Sequence, residues 1–476
     1  MSIYQQQTME TLEIPTHRPL RLIQYLGSKL NVLDQILPEI KAHTPRGGTC
    51  LDIFSGTTVV GQGLLEHCSV YSNDSLVSSK LLGDVLIAGP DSGAVDFPVP
   101  DVSYLLQSSV YRRNCEELES IYAEPLLREA QILDSRNEVG LGKFCETLPT
   151  WWKDKVHWDG SKPSTNFVKQ FDIAAKRSAL HSLPACLFTT YYAGSYFGLR
   201  QAIELDSLRY SILKLQMEGE LTAWQAKVLV VALIAATSQA VSSAGKHFAQ
   251  PLIIHGGKQR VFALRRTLSD RTVSVKDAMQ QALTAILQRV EQPRWQSRSY
   301  CVSFEELVQK SSKSGARAAL RAYFDNEQFD SIYADPPYTA QQYSRFYHIL
   351  DTLILYDYPN LQRHLADDRR FTQGLYREDR HKSVFCSKRT APEAFDALVA
   401  IAAQASNCLI LSYSSTNKTS GNPRMIDAGT IISIGRRYFS RIKEHTLHHK
   451  YRKLNRDDRN RKSGDPEKLY IFSHSP

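Results

Sequence analysis

No two of the eight cysteines, at 50, 68, 115, 145, 186, 301, 386 and 408, are spaced as a C-x-x-C pair, and none has histidines beside it at zinc-finger spacing. Reduced thiols are expected, with no structural zinc and no other metal site. The first residues, MSIYQQQTMETLEIPTHRPL, lack the apolar stretch that a secretory signal needs, so a cytoplasmic protein is expected. Internal repeats and low-complexity tracts are also missing. One apolar run, AWQAKVLVVALIAATSQAVSSAG at 223–245, comes near membrane length, but Lys227 and a half rich in Gln and Ser interrupt it. A buried helix is expected there, and no membrane partner.

What is present is ordinary globular usage. With 42% hydrophobic and 22% charged residues the chain is neither disordered nor fibrous, and 476 residues exceed one ordinary core. Lys and Arg together number 58 against 49 for Asp and Glu, a net charge of +9 that suits a polyanionic partner without specifying one. The basic residues cluster at 436–462 around Tyr438, Phe439 and Tyr451. Arg452, Lys453 and Arg456 are candidate phosphate contacts in that segment, and a solvated basic face is the alternative.

The spacing predicts a loop opening a helix over 19–40. TCLDIFSGTTVVGQGLLEH (49–67) reads as a short buried strand, a Gly/Ser/Thr turn and a helix; the strand-like SVYSND (69–74) and a helical run to about 88 follow. This β-α-β unit predicts an α/β, doubly wound, Rossmann-like sheet. Gly, Pro and Asp break all periodicity near 89–105, and the next two hundred residues look mainly helical, with aromatic islands at 150–160 and 189–202. Strand character returns at 299–304, 329–338 and 408–415. The expected organisation is a discontinuous sheet domain at 18–95 and 296–476, a mainly helical insert at 96–295, and a flexible N-terminus at 1–17.

Asp335-Pro336-Pro337-Tyr338 stands at the carboxyl end of a buried strand, where open α/β sheets bind ligands. The two prolines remove backbone donors and leave carbonyls free to accept, Asp335 adds a carboxylate, and Tyr338 adds a flat ring. Those parts suit an aromatic amine.

With these motifs the sequence resembles the Dam-like family of DNA adenine methylases. That family carries a W/Y-x-G-x-K element, an F-x-G-x-G loop, an acid after the second strand, a target-recognition insert and D-P-P-Y. Here the same order reads Tyr25-Leu26-Gly27-Ser28-Lys29, then Asp52-Ile53-Phe54-Ser55-Gly56, then Asn73-Asp74, then Asp335 to Tyr338. The resemblance implies S-adenosylmethionine as cofactor, with Tyr25, Gly27 and Lys29 in its pocket, Asp52, Phe54, Ser55, Gly56 and Thr57 in the turn that approaches it, and Asp74 on its ribose. It also implies that Asp335 and the Pro336 carbonyl accept hydrogen bonds from the target amine, and that Tyr338 stacks on an adenine flipped out of duplex DNA. No covalent enzyme intermediate is required. Two positions depart from the pattern: Thr58 replaces the second glycine of F-x-G-x-G, and the third motif reads Ser303-Phe304 where the family often has Asp-Phe at the cofactor adenine.

Tyr343, Arg345 and the aromatic residues through His348 follow the D-P-P-Y loop and either cover the flipped base or form a helix core. The segments at 191–198 and 244–251 resemble parts of longer type II modification methylases; packed core is the alternative. His247 is expected to be a satisfied structural histidine. The implied partners are double-stranded DNA and a restriction endonuclease or defence-system proteins. Cytosine N4 methylation, RNA or protein-glutamine methylation, and a DNA-binding module without activity are the rivals.

Overall fold

The computed structural model describes residues 18–25, 27–90, 98–148, 184–252, 261–326, 328–414, 423–448 and 467–474, without the side chains of 368–370. The N-terminus at 1–17, the aromatic island at 150–160, and Arg452, Lys453 and Arg456 lie outside the described residues.

Seven strands form one sheet: β1 Thr49–Asp52, β2 Ser69–Asn73, β3 Arg298–Tyr300, β4 Phe329–Ala334, β5 Ser406–Tyr413, β6 Arg441–Leu447 and β7 Glu467–Ser473. Their spatial order is β3-β2-β1-β4-β5-β7-β6. β1 pairs in parallel with both β2 and β4, for example Cys50 with Val70 and with Ser331. β7 runs antiparallel between β5 and β6. The chain moves outward on one side of β1 and returns on the other through β4, so the β1/β4 border is the switch point at which such sheets open a ligand crevice. This parallel-dominated α/β sheet is compatible with a methyltransferase fold.

Helices cover both faces. In chain order those used below are α1 Leu33–Ala42, α2 Val59–Gln62, α3 Val77–Gly83, α4 Leu199–Met217, α5 Ala223–Ala240, α6 Val275–Val290, α7 Phe304–Ser314, α8 Tyr343–Leu355 and α9 Ala391–Ala405. Neighbouring strand residues point to opposite faces. Thus Cys50 joins Ile36 of α1, Val59, Val70 and Ile410 in one core, while Leu51 joins Leu307 of α7, Phe395 of α9 and Leu409 in the other. A third core holds Leu82 of α3 and Leu350 of α8 together with Ile203, Leu233 and Ile286 of α4, α5 and α6.

α5 is the apolar run at 223–240. Thr222 and Gln225 cap it reciprocally, at 2.8 and 3.1 Å, and its apolar residues lie all round the helix, which requires burial on every side. By length and composition it could cross a membrane, but 83% of it is buried inside the protein. It is a core helix, as its interrupted sequence suggests.

Two features differ from expectation. The strand expected at 299–304 stops at Tyr300, and Ser303 caps α7 instead. β6 and β7 are not apparent in the sequence pattern: β6, RIKEHTL, is exposed along most of its length inside the basic stretch, so its polar composition hides it.

Candidate functional site

Three strand ends converge on one open cleft of about 890 Å³, including the solvent at its mouth. From β1 come Asp52, Ile53, Phe54, Ser55, Gly56 and Thr57; from β2 come Asp74, Ser75 and Leu76; from β4 come Asp335 and Pro337. Tyr25, Gly27, Ser28 and Lys29 line the cleft from the segment before α1, Tyr343 from the start of α8, and Phe304 from the start of α7. Pro336, Tyr338, Ser303 and Arg345 are not among its lining residues.

The turn after β1 is fixed by its neighbours. Asn73 ties three strand ends together, donating to the carbonyls of Ile53 at 3.2 Å and Val302 at 3.0 Å and accepting from the Val302 N–H at 3.0 Å. Asp74 accepts from the Gly56 N–H at 2.9 Å and the Leu76 N–H at 3.0 Å. Gly56 has φ of 49°, and a Cβ there would stand 3.0 Å from the Tyr25 ring, so glycine is required both for conformation and for space. Thr58 adopts φ of 63° and ψ of 10°, the left-handed conformation that glycine takes freely. The departure from F-x-G-x-G therefore keeps the glycine-like turn at a conformational cost of about 1–2 kcal/mol.

At β4 a buried charge network surrounds Asp335. Lys29 Nζ lies 2.6 Å from Asp335 Oδ2 and 2.9 Å from Glu467 Oε1, and donates to the Tyr338 hydroxyl at 2.8 Å. The Tyr338 hydroxyl in turn reaches Asp335 and Glu467, and Ser412 donates to Glu467 at 2.6 Å. Burial pushes Asp335 up to about 6, with Lys29 opposing and the Glu467 charge adding. Burial works to raise Glu467 as well, but Lys29, Ser412 and Tyr338 together hold it below the usual carboxylate range. Tyr338 itself faces inward: its ring packs edge-on against Tyr413 at 5.0 Å rather than opening to the cleft. Glu467, at the start of β7, has no signal in the sequence; only the long-range pairing of β7 with β5 brings it here.

The opposite wall is aromatic. Tyr25 stacks on Tyr347 of α8 at 4.5 Å and 11°, with Tyr343 at 5.5 Å. Phe54 packs against Phe304 and Phe385 at 6.0 and 5.3 Å. In the run after D-P-P-Y, Tyr343 faces the cleft, whereas Phe346, Tyr347 and His348 are buried. Ser303 makes a capping box with Glu306, accepting from its N–H at 3.2 Å while Glu306 accepts from the Ser303 N–H at 2.9 Å. Ser303 is half-buried and is not among the residues that line the cleft. Glu305 and His381 line the cleft without having been singled out from the sequence; they meet at 3.0 Å, and this bond raises the His381 pKa.

His247 is buried beside Phe346 at 4.7 Å, and neither ring nitrogen has a hydrogen-bond partner among the described residues. It is not the satisfied histidine expected. Burial pushes its pKa down to about 4, so it stays neutral.

The electrostatics favour a cationic ligand. Lys29 is paired with Asp335 and Glu467, and among the described residues neither Asp52 nor Asp74 makes an ion pair; Lys29 acts on Asp52 and His381 on Asp74 only through space. Asp52 is 1% exposed, its Oδ1 has no hydrogen-bond partner among the described residues, and burial followed by the Asp335 and Asp74 charges raises its pKa well above the usual range. An unpartnered buried carboxylate oxygen of this kind fits an ammonium, and Asp74 at the end of β2 fits a diol.

No family model matches the chain. Over 381 residues it is 21% identical to the Type II methyltransferase M.FokI of Planomicrobium okeanokoites, covering 79% of this chain and 42% of that protein. Over 339 residues it is 21% identical to the modification methylase LlaI of Lactococcus lactis subsp. lactis, covering 71% and 39%. The chain spans about two fifths of the length of these curated relatives.

Proposed function

We propose that the protein is a DNA methyltransferase that transfers a methyl group from S-adenosylmethionine to N6 of an adenine flipped out of duplex DNA, as the modification arm of a restriction-modification or phage-defence system. The observation that carries this reading is the crowding of Asp52, Asp74 and Asp335 at adjoining strand ends, where, among the described residues, only the last is in an ion pair. Similarity to two proteins named as modification or type II methyltransferases supports the same class.

Asp52 would take the amino group of the cofactor's methionine part and Asp74 its ribose hydroxyls. The cofactor, when bound, would supply a methyl group on a sulfonium whose sulfur departs as a neutral thioether, and the proton released by the methylated amine would pass to the Asp335 carboxylate or to water. Asp335 and the Pro336 carbonyl accept from the exocyclic amine and turn its lone pair outward. Lys29 and Tyr338 fix the Asp335 carboxylate, so orientation is set before the substrate arrives. The cysteines have no role in this step.

The test is mass analysis of nucleosides from DNA co-expressed with the full chain. N6-methyladenine is expected. N4-methylcytosine would change the target base, and DNA binding without any modified base would reduce the protein to a binding module. In the same assay Asp335→Ala should abolish methyl transfer while cofactor affinity stays within about tenfold, because the lost acceptor orients the amine.

A further inference from the structure

Tyr376 has two arginines over its ring and a third beside it in sequence, and among the described residues only the third is in an ion pair. Arg377 makes paired bonds to Asp357 at 2.7 and 2.8 Å and to Asp379 at 3.0 and 2.9 Å. Arg345 and Arg380 each hold a guanidinium 5.2 Å from the centre of the Tyr376 ring. Neither takes part in an ion pair among the described residues, since the nearby acids Asp357 and Asp379 are occupied by Arg377. The Nε atoms of both are buried without an acceptor among the described residues. The one side-chain hydrogen bond they make among the described residues runs from Arg380 Nη2 to the neutral Gln362 Oε1 at 2.7 Å.

The local field is correspondingly positive. Burial and then the Arg345 charge lower the Arg380 pKa. His348, pushed down to about 3 chiefly by burial, is lowered further by Arg380, Arg377 and Arg345. Stacking on an aromatic ring offsets only part of what each cation loses on leaving water. Two like charges kept half-buried without a counter-ion have most to gain from an anion, and a guanidinium is shaped to hold phosphate oxygens in pairs.

Position connects this charge to the cleft. Ser344 and His381, the chain neighbours of the two arginines, both line it, and the Ser344 hydroxyl donates to the His381 carbonyl. S-adenosylmethionine carries no phosphate, whereas a nucleotide entering the cleft brings its backbone with it. We propose that Arg345 and Arg380 form a clamp for one backbone phosphodiester of the DNA strand that carries the target base. The clamp rests on the DNA-methylation reading above and adds to it a positioning site that fixes register and carries no base identity.

The test compares wild type with Arg345→Ala/Arg380→Ala on a mixed-sequence duplex over a range of salt, with S-adenosylmethionine binding measured separately by calorimetry. Each phosphate neutralised contributes roughly −0.9 to the slope of log K against log salt, so the double variant should flatten the slope by about that amount and leave cofactor affinity unchanged. Arg345→Lys/Arg380→Lys keeps both charges and should restore the slope; failure to do so would assign the loss to packing and overturn the clamp. Should alanine unsettle the Tyr376 contacts, Arg345→Gln/Arg380→Gln removes the charge while keeping polar side chains of similar reach. An unchanged slope in a folded charge-removing variant refutes the proposal. So does stabilisation of wild type but not variant by inorganic phosphate at constant ionic strength with no change in slope, which would make the pair a site for a free anion. A flattened slope in a protein that neither binds cofactor nor modifies DNA would keep the clamp and refute the methyltransferase reading instead.

Discussion

Lys29 and Glu467, from opposite ends of the chain, meet at 2.9 Å with side chains only 4% and 1% exposed. The same ammonium reaches Asp335, so one buried cation serves one buried carboxylate and one half-buried one at the cleft wall, with the Tyr338 and Ser412 hydroxyls filling part of the deficit. Lys29 lies in a segment expected to hold the cofactor. Its hydrogen-bonded partners show that it also sets the position and charge of the D-P-P-Y aspartate.

Lys29→Met should therefore be costly for folding. It leaves Asp335 and Glu467 facing each other without a cation, and breaking a buried pair from one side costs about 3–5 kcal/mol. Lys29→Met/Glu467→Gln removes the repulsion as well and should recover part of that loss. Denaturant unfolding of the three proteins measures both quantities. A single variant within about 1 kcal/mol of wild type would show that the network contributes little to stability.

The same network sets a pH dependence. Asp335 is held up to about 6 and must be ionised to accept from an amine, so methyl transfer should fall as pH drops through that value. The Glu467 charge raises Asp335 and the Lys29 charge lowers it. Glu467→Gln should then move the acid limb of the single-turnover rate to lower pH. A limb that stays in place, or moves upward, would mean that another group controls the rate.

The parts of the site that were legible in the sequence are those whose cause is local. Gly56 and Asp74 belong to turns that follow strands, and a few neighbouring residues specify them. A strand expected to run to Phe304 hides the N-cap role of Ser303, although its capping-box partner Glu306 stands three residues on and is itself a local signal. The stacking role of Tyr338 comes from the resemblance alone; the contacts of its hydroxyl with Lys29 and Glu467 arise through tertiary pairing that no local pattern records. Glu467 could not be found at all, because β7 inserts antiparallel between β5 and β6 and no periodicity near residue 467 records that arrangement.

Asp74→Ala should weaken S-adenosylmethionine by roughly 1.5–3 kcal/mol if Asp74 binds the ribose through charge-assisted hydrogen bonds. The structure adds a second cost, since the Gly56 and Leu76 N–H groups lose their acceptor. Asp74→Asn keeps one carbonyl oxygen for the turn and should separate the effects: stability largely retained, cofactor affinity still reduced. Calorimetry beside thermal melts distinguishes them, and unchanged affinity in both variants would remove Asp74 from the ribose site.

Gly56 and Thr58 give opposite expectations at two left-handed positions of one turn. Alanine at Gly56 must hold φ near 49° and bring a Cβ to 3.0 Å from Tyr25, whose ring is stacked on Tyr347 and cannot retreat without disturbing α8. Gly56→Ala should cost about 1–3 kcal/mol in stability and raise the S-adenosylmethionine Kd by more than tenfold, because the aromatic wall and the backbone beside it shift together. Thr58→Gly relieves about 1–2 kcal/mol of left-handed strain. It also frees the unfolded chain and loses the hydroxyl that accepts from Gln62 at 3.2 Å, so the gains and losses oppose. Its stability and its cofactor affinity should both stay within about 1 kcal/mol of wild type. A large loss of affinity in Thr58→Gly would mean that the threonine side chain, and not the turn conformation it preserves, is what the cofactor site requires.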